Sequence, residues 1–91
     1  MITVEVRGIE CNVRDERMDD FETLELLARL SEGDLTALVG FARAIFGAEQ
    51  LEEIKDALRD ENGIAKATDV NAFVQEAVTS AAAVKKADAK N

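Results

Sequence analysis

The chain has 91 residues, 47% of them hydrophobic, a net charge of −8, and no histidine, tryptophan, tyrosine or proline. A chain of this length buries only about 60–65% of its unfolded surface, enough for one compact domain of limited stability. Without histidine there are no Ser–His or Cys–His dyads, and the acidic balance disfavours a nucleic-acid backbone or an anionic membrane as partner.

The start, "MITVEVRGIEC", carries acid early and lacks an apolar run of signal-peptide length. No stretch approaches the roughly 20 apolar residues of a bilayer span. Cys11 is the single cysteine, so no disulfide forms within the chain and a reducing cytoplasm is the expected setting. Cys11 itself falls inside an apolar alternation and reads as a small core residue.

"ITVEV" and "IECNV" both alternate, with Ile2, Val4 and Val6 matching Ile9, Cys11 and Val13. Period-two spacing of β-branched residues predicts two strands, and Gly8 supplies the reversal of a β-hairpin over about 2–13. A lone hairpin is marginal in water, so its apolar face must cover helices or a neighbouring subunit. "RDERMDD" has no apolar periodicity and reads as a connector leading into a helix, its aspartates suited to the positive end of the helix dipole.

Four helices follow. The first runs over about 20–30, with Phe21, Leu24, Leu27 and Leu30 as the inward stripe, widened by Leu26 and Ala28. Ser31 with Asp34 makes one capping box; alternatively Gly33 ends the first helix and Asp34 caps the next. The second, about 34–46, has only Thr36 and Arg43 as strongly polar side chains between Leu35 and Phe46, and Gly47 closes it. A helix apolar nearly all round is buried on several sides, which makes it central or shared with a partner. The third, about 48–61, turns Leu51, Ile54 and Leu58 inward and is stopped by Gly63. The fourth, about 69–84, is capped by Thr68 or Asp69 and carries Val70, Phe73, Val74, Ala77, Val78, Ala81 and Val84 as its stripe. Residues 85–91 lose amphipathic contrast and read as a mobile tail. The fold class is therefore mainly α (α+β): one domain over 1–84, with an N-terminal β-hairpin and a compact bundle of about four helices.

"LRDENGIAKATD" places acid and amide before a glycine, between two helices, as an EF-hand loop does. Setting Gly63 at loop position 6 puts Leu58 at position 1, Lys66 at position 9 and Asp69 at position 12. A leucine offers no oxygen, a lysine repels the cation, and an aspartate is too short for the bidentate twelfth ligand. Shifting the frame to begin at Asp60 puts Ile64 at position 5 and fails as well. The segment reads instead as a Schellman-type helix end, with Ile64 folding back on the helix, followed by a turn and a new cap. No metal or other cofactor is expected.

Catalysis is not expected either. The paired carboxylates lie on solvent-facing positions, with no apolar cleft to raise one pKa. No glycine-rich phosphate loop precedes a lysine, and Ser31 and Ser80 lack a candidate base. With catalytic residues absent, function is assigned to protein contacts. The first candidate patch is the broad apolar face of the second helix, Leu38, Phe41, Ile45 and Phe46.

"DDFETLELLARLSEGD", an apolar helix closed by "FGAEQLEEIKDALRDENG", and then "TDVNAFVQE" follow one another over about Asp19 to Val78. In size, order and punctuation this run resembles the tail assembly chaperones of long-tailed bacteriophages and prophages. The resemblance implies a non-enzymatic, self-associating protein of the bacterial host cytoplasm that coats the tape measure protein, keeps it soluble and helps recruit major tail protein. In many members a ribosomal frameshift extends a fraction of copies, and the tandem Lys85-Lys86 is compatible with an A-rich slippery codon pair near the chain end. The alternative reading is a small acidic adaptor for a host or phage regulatory protein, including one that mimics nucleic acid.

Overall fold

The structure, a computed structural model, describes residues 1–89. An antiparallel hairpin of β1 (Ile2–Val6) and β2 (Ile9–Val13) precedes helices α1 (Phe21–Ser31), α2 (Thr36–Phe46), α3 (Ala48–Leu58) and α4 (Ala67–Ala89). The mainly α architecture with an N-terminal hairpin and four helices is the one expected from the sequence.

Strand register pairs Ile2 with Val13, Val4 with Cys11 and Val6 with Ile9. The two-residue loop has positive φ at both Arg7 (53°) and Gly8 (79°), the backbone of a type I′ turn, whose twist matches that of the strands it joins. Alternation turns Val4, Val6, Cys11 and Val13 inward and leaves Thr3, Glu5, Glu10 and Asn12 exposed. The apolar face lies chiefly on α4, which packs more on β1 than on β2. Beyond β2 the chain makes a short 3₁₀ segment, Asp15–Asp19, after the Arg14 N–H donates to the Ile45 carbonyl at 2.8 Å.

Asp20 caps α1 by accepting from the Glu22 N–H at 3.0 Å. The buried side of α1 is Thr23 and Leu30 with half-buried Leu26 and Leu27; Phe21 (74% exposed) and Leu24 (43%) face outward, against expectation. Residues three apart fall about 60° short of a full turn. A 21-24-27-30 series therefore sweeps half the circumference and cannot bury all four members. The close approach of α2 chooses the side: a methyl group on Gly40 would sit 3.1 Å from the Leu26 side chain.

Between α1 and α2 the second of the two start signals operates. Ser31 is the last residue of α1, its hydroxyl donating back to the Leu27 carbonyl, and the Asp34 carboxylate accepts from the Thr36 N–H at 3.1 Å. Gly47 ends α2 with its N–H on the Arg43 carbonyl at 2.8 Å, and its own carbonyl takes the Leu51 N–H of α3 at 3.0 Å. One residue thus closes one helix and opens the next.

Three boundaries of α3 and α4 differ from expectation. α3 ends at Leu58, three residues early, because Asp60 Oδ1 accepts from the N–H groups of Asn62 (2.9 Å) and Ile64 (3.0 Å). That side-chain turn offers the backbone an alternative to another helical turn. Ile64 is 55% exposed rather than folded back on the helix, so the end is an aspartate-closed loop and not a Schellman contact. α4 begins at Ala67, placing Thr68 and Asp69 inside its first turn rather than at the cap, and it runs on through 85–89, where a tail was expected. Residues 90 and 91 of that segment lie outside the described residues. No helix among the described residues is long and apolar enough to cross a membrane.

Candidate protein-binding surface

The core forms where α2 meets α3, α4 and the hairpin. Phe41, Ile45, Phe73, Val74 and Ala77 have no exposed surface at all, and the rings of Phe46 and Phe73 meet at 6.1 Å with a 56° tilt. All four residues expected to form a partner patch lie in this core: Leu38 is 4% exposed, Phe41 and Ile45 0%, and Phe46 3%. The correction has a geometric cause. α2 is covered by α1, where Gly40 meets Leu26, and by α3, β2 and the 3₁₀ segment, so most of its circumference is internal.

What α2 keeps in solvent is a narrow strip: Leu35 (48% exposed), Thr36, Val39 (55%) and Arg43. The sequence holds a signal for it. Thr36 and Arg43, the strongly polar residues of an otherwise apolar helix, lie one turn before and one turn after Val39, so all three share a face.

Beside this strip a shallow groove of about 270 Å³ opens between α2, α3 and the start of α4. Leu38, Ala42, Leu51 and Val70 form its floor and Val39 one lip; Arg43, Glu52 and Lys55 stand at the rim. Lys55 is held by Glu52 at 2.6 Å, whereas Arg43 makes no ion pair among the described residues. The loop that carries exposed Ile64 enters the groove wall at Ala65. The space lies at the low end of the volumes of small-molecule sites. It suits one or two aliphatic side chains presented by another polypeptide, with a carboxylate beside them for Arg43.

Cys11 is 1% exposed, and burial pushes its thiol pKa up, which holds it in the unreactive protonated form. Asp60, the best carboxylate of the calcium-like segment, spends one oxygen on two backbone N–H groups. Among the described residues no three acidic or cysteine side chains gather as a metal-binding group. The Asp34 carboxyl is held below the usual carboxylate range, first by the Thr36 hydroxyl and then by the Arg29 guanidinium 2.8 Å away. This arrangement fastens the α1–α2 corner. Comparison of the chain with protein-family profiles, with curated proteins and with solved structures finds no match.

Proposed function

We propose that this chain is a non-catalytic binding protein that acts as a tail assembly chaperone, holding apolar side chains of a tape measure protein in the groove between α2, α3 and α4. The observation that carries this reading is an exposed valine, Val39, on the lip of an apolar groove in a molecule of net charge −8. A chaperone for a long helical client needs accessible apolar surface to receive it and an acidic exterior to keep the complex dispersed. The order of elements, which resembles that of the phage chaperones, supports the same assignment. In this reading the receiving surface is the groove and the Leu35–Val39 strip rather than the buried face of α2, the protein works in the host cytoplasm, and major tail protein is recruited after the client is coated.

Co-expression with a tape measure fragment from the same genome tests the proposal. The fragment is expected to stay soluble and co-purify with the wild-type chain, and to precipitate beside Val39→Asp. A fragment that precipitates with both, or that both keep soluble, overturns the assignment.

A further inference from the structure

The two edges of the hairpin are treated differently. Val6 and Ile9 flank a two-residue turn and form a hydrogen-bonded pair. Alternation along the ladder then makes Val4–Cys11 and Ile2–Val13 hydrogen-bonded pairs and leaves Thr3–Asn12 and Glu5–Glu10 unbonded, their N–H and C=O groups pointing away from the hairpin. On β2 the Gln50 side chain meets this outward edge: its Oε1 accepts from the Asn12 N–H at 2.6 Å and its Nε2 donates to the Asn12 carbonyl at 2.8 Å. The outward backbone groups of Glu10 on β2, and of both Thr3 and Glu5 on β1, have no hydrogen-bond partner among the described residues, so β1 alone is open along its whole edge.

We propose that β1 is the pairing edge of a symmetric dimer, in which two copies of this chain join antiparallel into a four-stranded sheet about a twofold axis at Val4. The edge is complementary to itself in that register alone. Centring on Val4 pairs all five strand residues: Ile2 with Val6, Thr3 with Glu5 and Val4 with Val4 of the other copy. Thr3 and Glu5 then form the two hydrogen-bonded pairs, which uses the outward groups of both strands. Centring on Glu5 sets two carboxylates opposite each other, beside the Glu5–Glu10 pair already present within each hairpin, and like charges directly opposite are destabilising. Centring on Thr3 runs off the start of the strand after Ile2.

In the Val4 register Thr3, whose hydroxyl donates to Asn12 Oδ1 at 2.7 Å within its own hairpin, lies opposite Glu5 of the other copy. The apolar residues Ile2, Val4 and Val6 continue one inward face across the junction. α4, which packs chiefly under β1, is brought beside its counterpart below the new sheet. Four strands also remove the marginal stability of a two-stranded one. This inference rests on the strand edge and is independent of the groove.

Sedimentation equilibrium of the wild type, Thr3→Pro and Glu10→Pro tests it, together with amide exchange at Thr3 and Glu5 in dilute and concentrated samples. Proline at 3 removes an N–H that the hairpin's own ladder does not use, and proline at 10 does the same on the other edge. The wild type is expected to dimerise, with the Thr3 and Glu5 amides gaining protection as dimer forms. Thr3→Pro loses two hydrogen bonds per dimer and is expected to weaken association about tenfold or more; Glu10→Pro leaves it unchanged. A protein that stays monomeric, amides whose exchange ignores concentration, or two proline variants that weaken association alike would each overturn the proposal. Should Thr3→Pro fail to fold, the wild-type exchange experiment decides by itself.

Discussion

The amide of Gln50 on α3 clasps the backbone of Asn12 on β2, accepting its N–H at 2.6 Å and donating to its carbonyl at 2.8 Å. The same Nε2 also reaches the Phe46 carbonyl at 3.0 Å, at the last residue of α2. One side chain therefore ties a strand edge to two helices and takes the place of a third strand at Asn12. Gln50→Ala is expected to lower stability by about 1–3 kcal/mol, two to three ordinary hydrogen bonds, measured by urea unfolding. Gln50→Glu keeps the acceptor but sets a carboxylate oxygen against the Asn12 and Phe46 carbonyls, so it is expected to be no more stable than Gln50→Ala.

Phe41 lies at the centre of α2 with no exposed surface. Phe41→Ala is expected to cost about 3–5 kcal/mol, a large share of the 5–15 kcal/mol that holds a small domain together. Phe41→Asp buries an unpaired charge and is expected to abolish folding, read as loss of the cooperative melt in circular dichroism. A folded Phe41→Asp protein would show that α2 is packed differently from this description.

Gly47 sits at φ 82°, ψ 157° between α2 and α3, a region that glycine alone reaches without strain. A methyl group there would also come within 2.7 Å of the Arg14 guanidinium. Gly47→Ala is expected to cost about 1–3 kcal/mol, and the added substitution Arg14→Ala to recover only the steric part. Thermal unfolding of the single and double variants separates the two contributions.

Much of this fold is legible in the sequence alone. The hairpin follows from β-branched residues at period two, and the central place of α2 from its shortage of polar side chains. Division of the α2 surface was not legible from hydrophobicity alone: when nearly every position is apolar, the neighbours decide which few remain outside. The polar pair Thr36 and Arg43 carried that information, and it points at Val39 and the groove floored by Leu38, and away from Phe41, Ile45 and Phe46. Phe21 and Leu24 misled because three-residue spacing imitates a stripe while rotating away from it. The ends of α3 and α4 shifted because Asp60 closes a side-chain turn before Gly63 is reached, and because Thr68 and Asp69 suit the first turn of a helix as well as its cap.

Asp34 gives stability a dependence on pH. The Thr36 hydroxyl, and next the Arg29 guanidinium, hold its carboxyl below the ordinary value of 3.8. A carboxyl depressed in the folded state stabilises above its unfolded pKa, and that contribution is lost as pH falls through the lower, folded value. Asp34→Asn keeps an acceptor for the Thr36 N–H but cannot ionise. Its melting temperature is expected to lie below the wild type's near neutral pH, and the two curves to converge once the wild-type carboxyl is protonated. A gap between the variants that is constant with pH would assign the effect to packing.

The groove between α2, α3 and α4 is proposed to receive side chains of another polypeptide. Amide chemical-shift mapping of the isotope-labelled chain, titrated with a helical tape measure fragment, tests it most directly. Shifts concentrated at Leu38, Val39, Ala42, Leu51 and Val70, and abolished in a folded Val39→Asp variant, are the predicted result. Shifts confined to the hairpin or to the outer face of α1, or a spectrum that the fragment leaves unchanged, would contradict it.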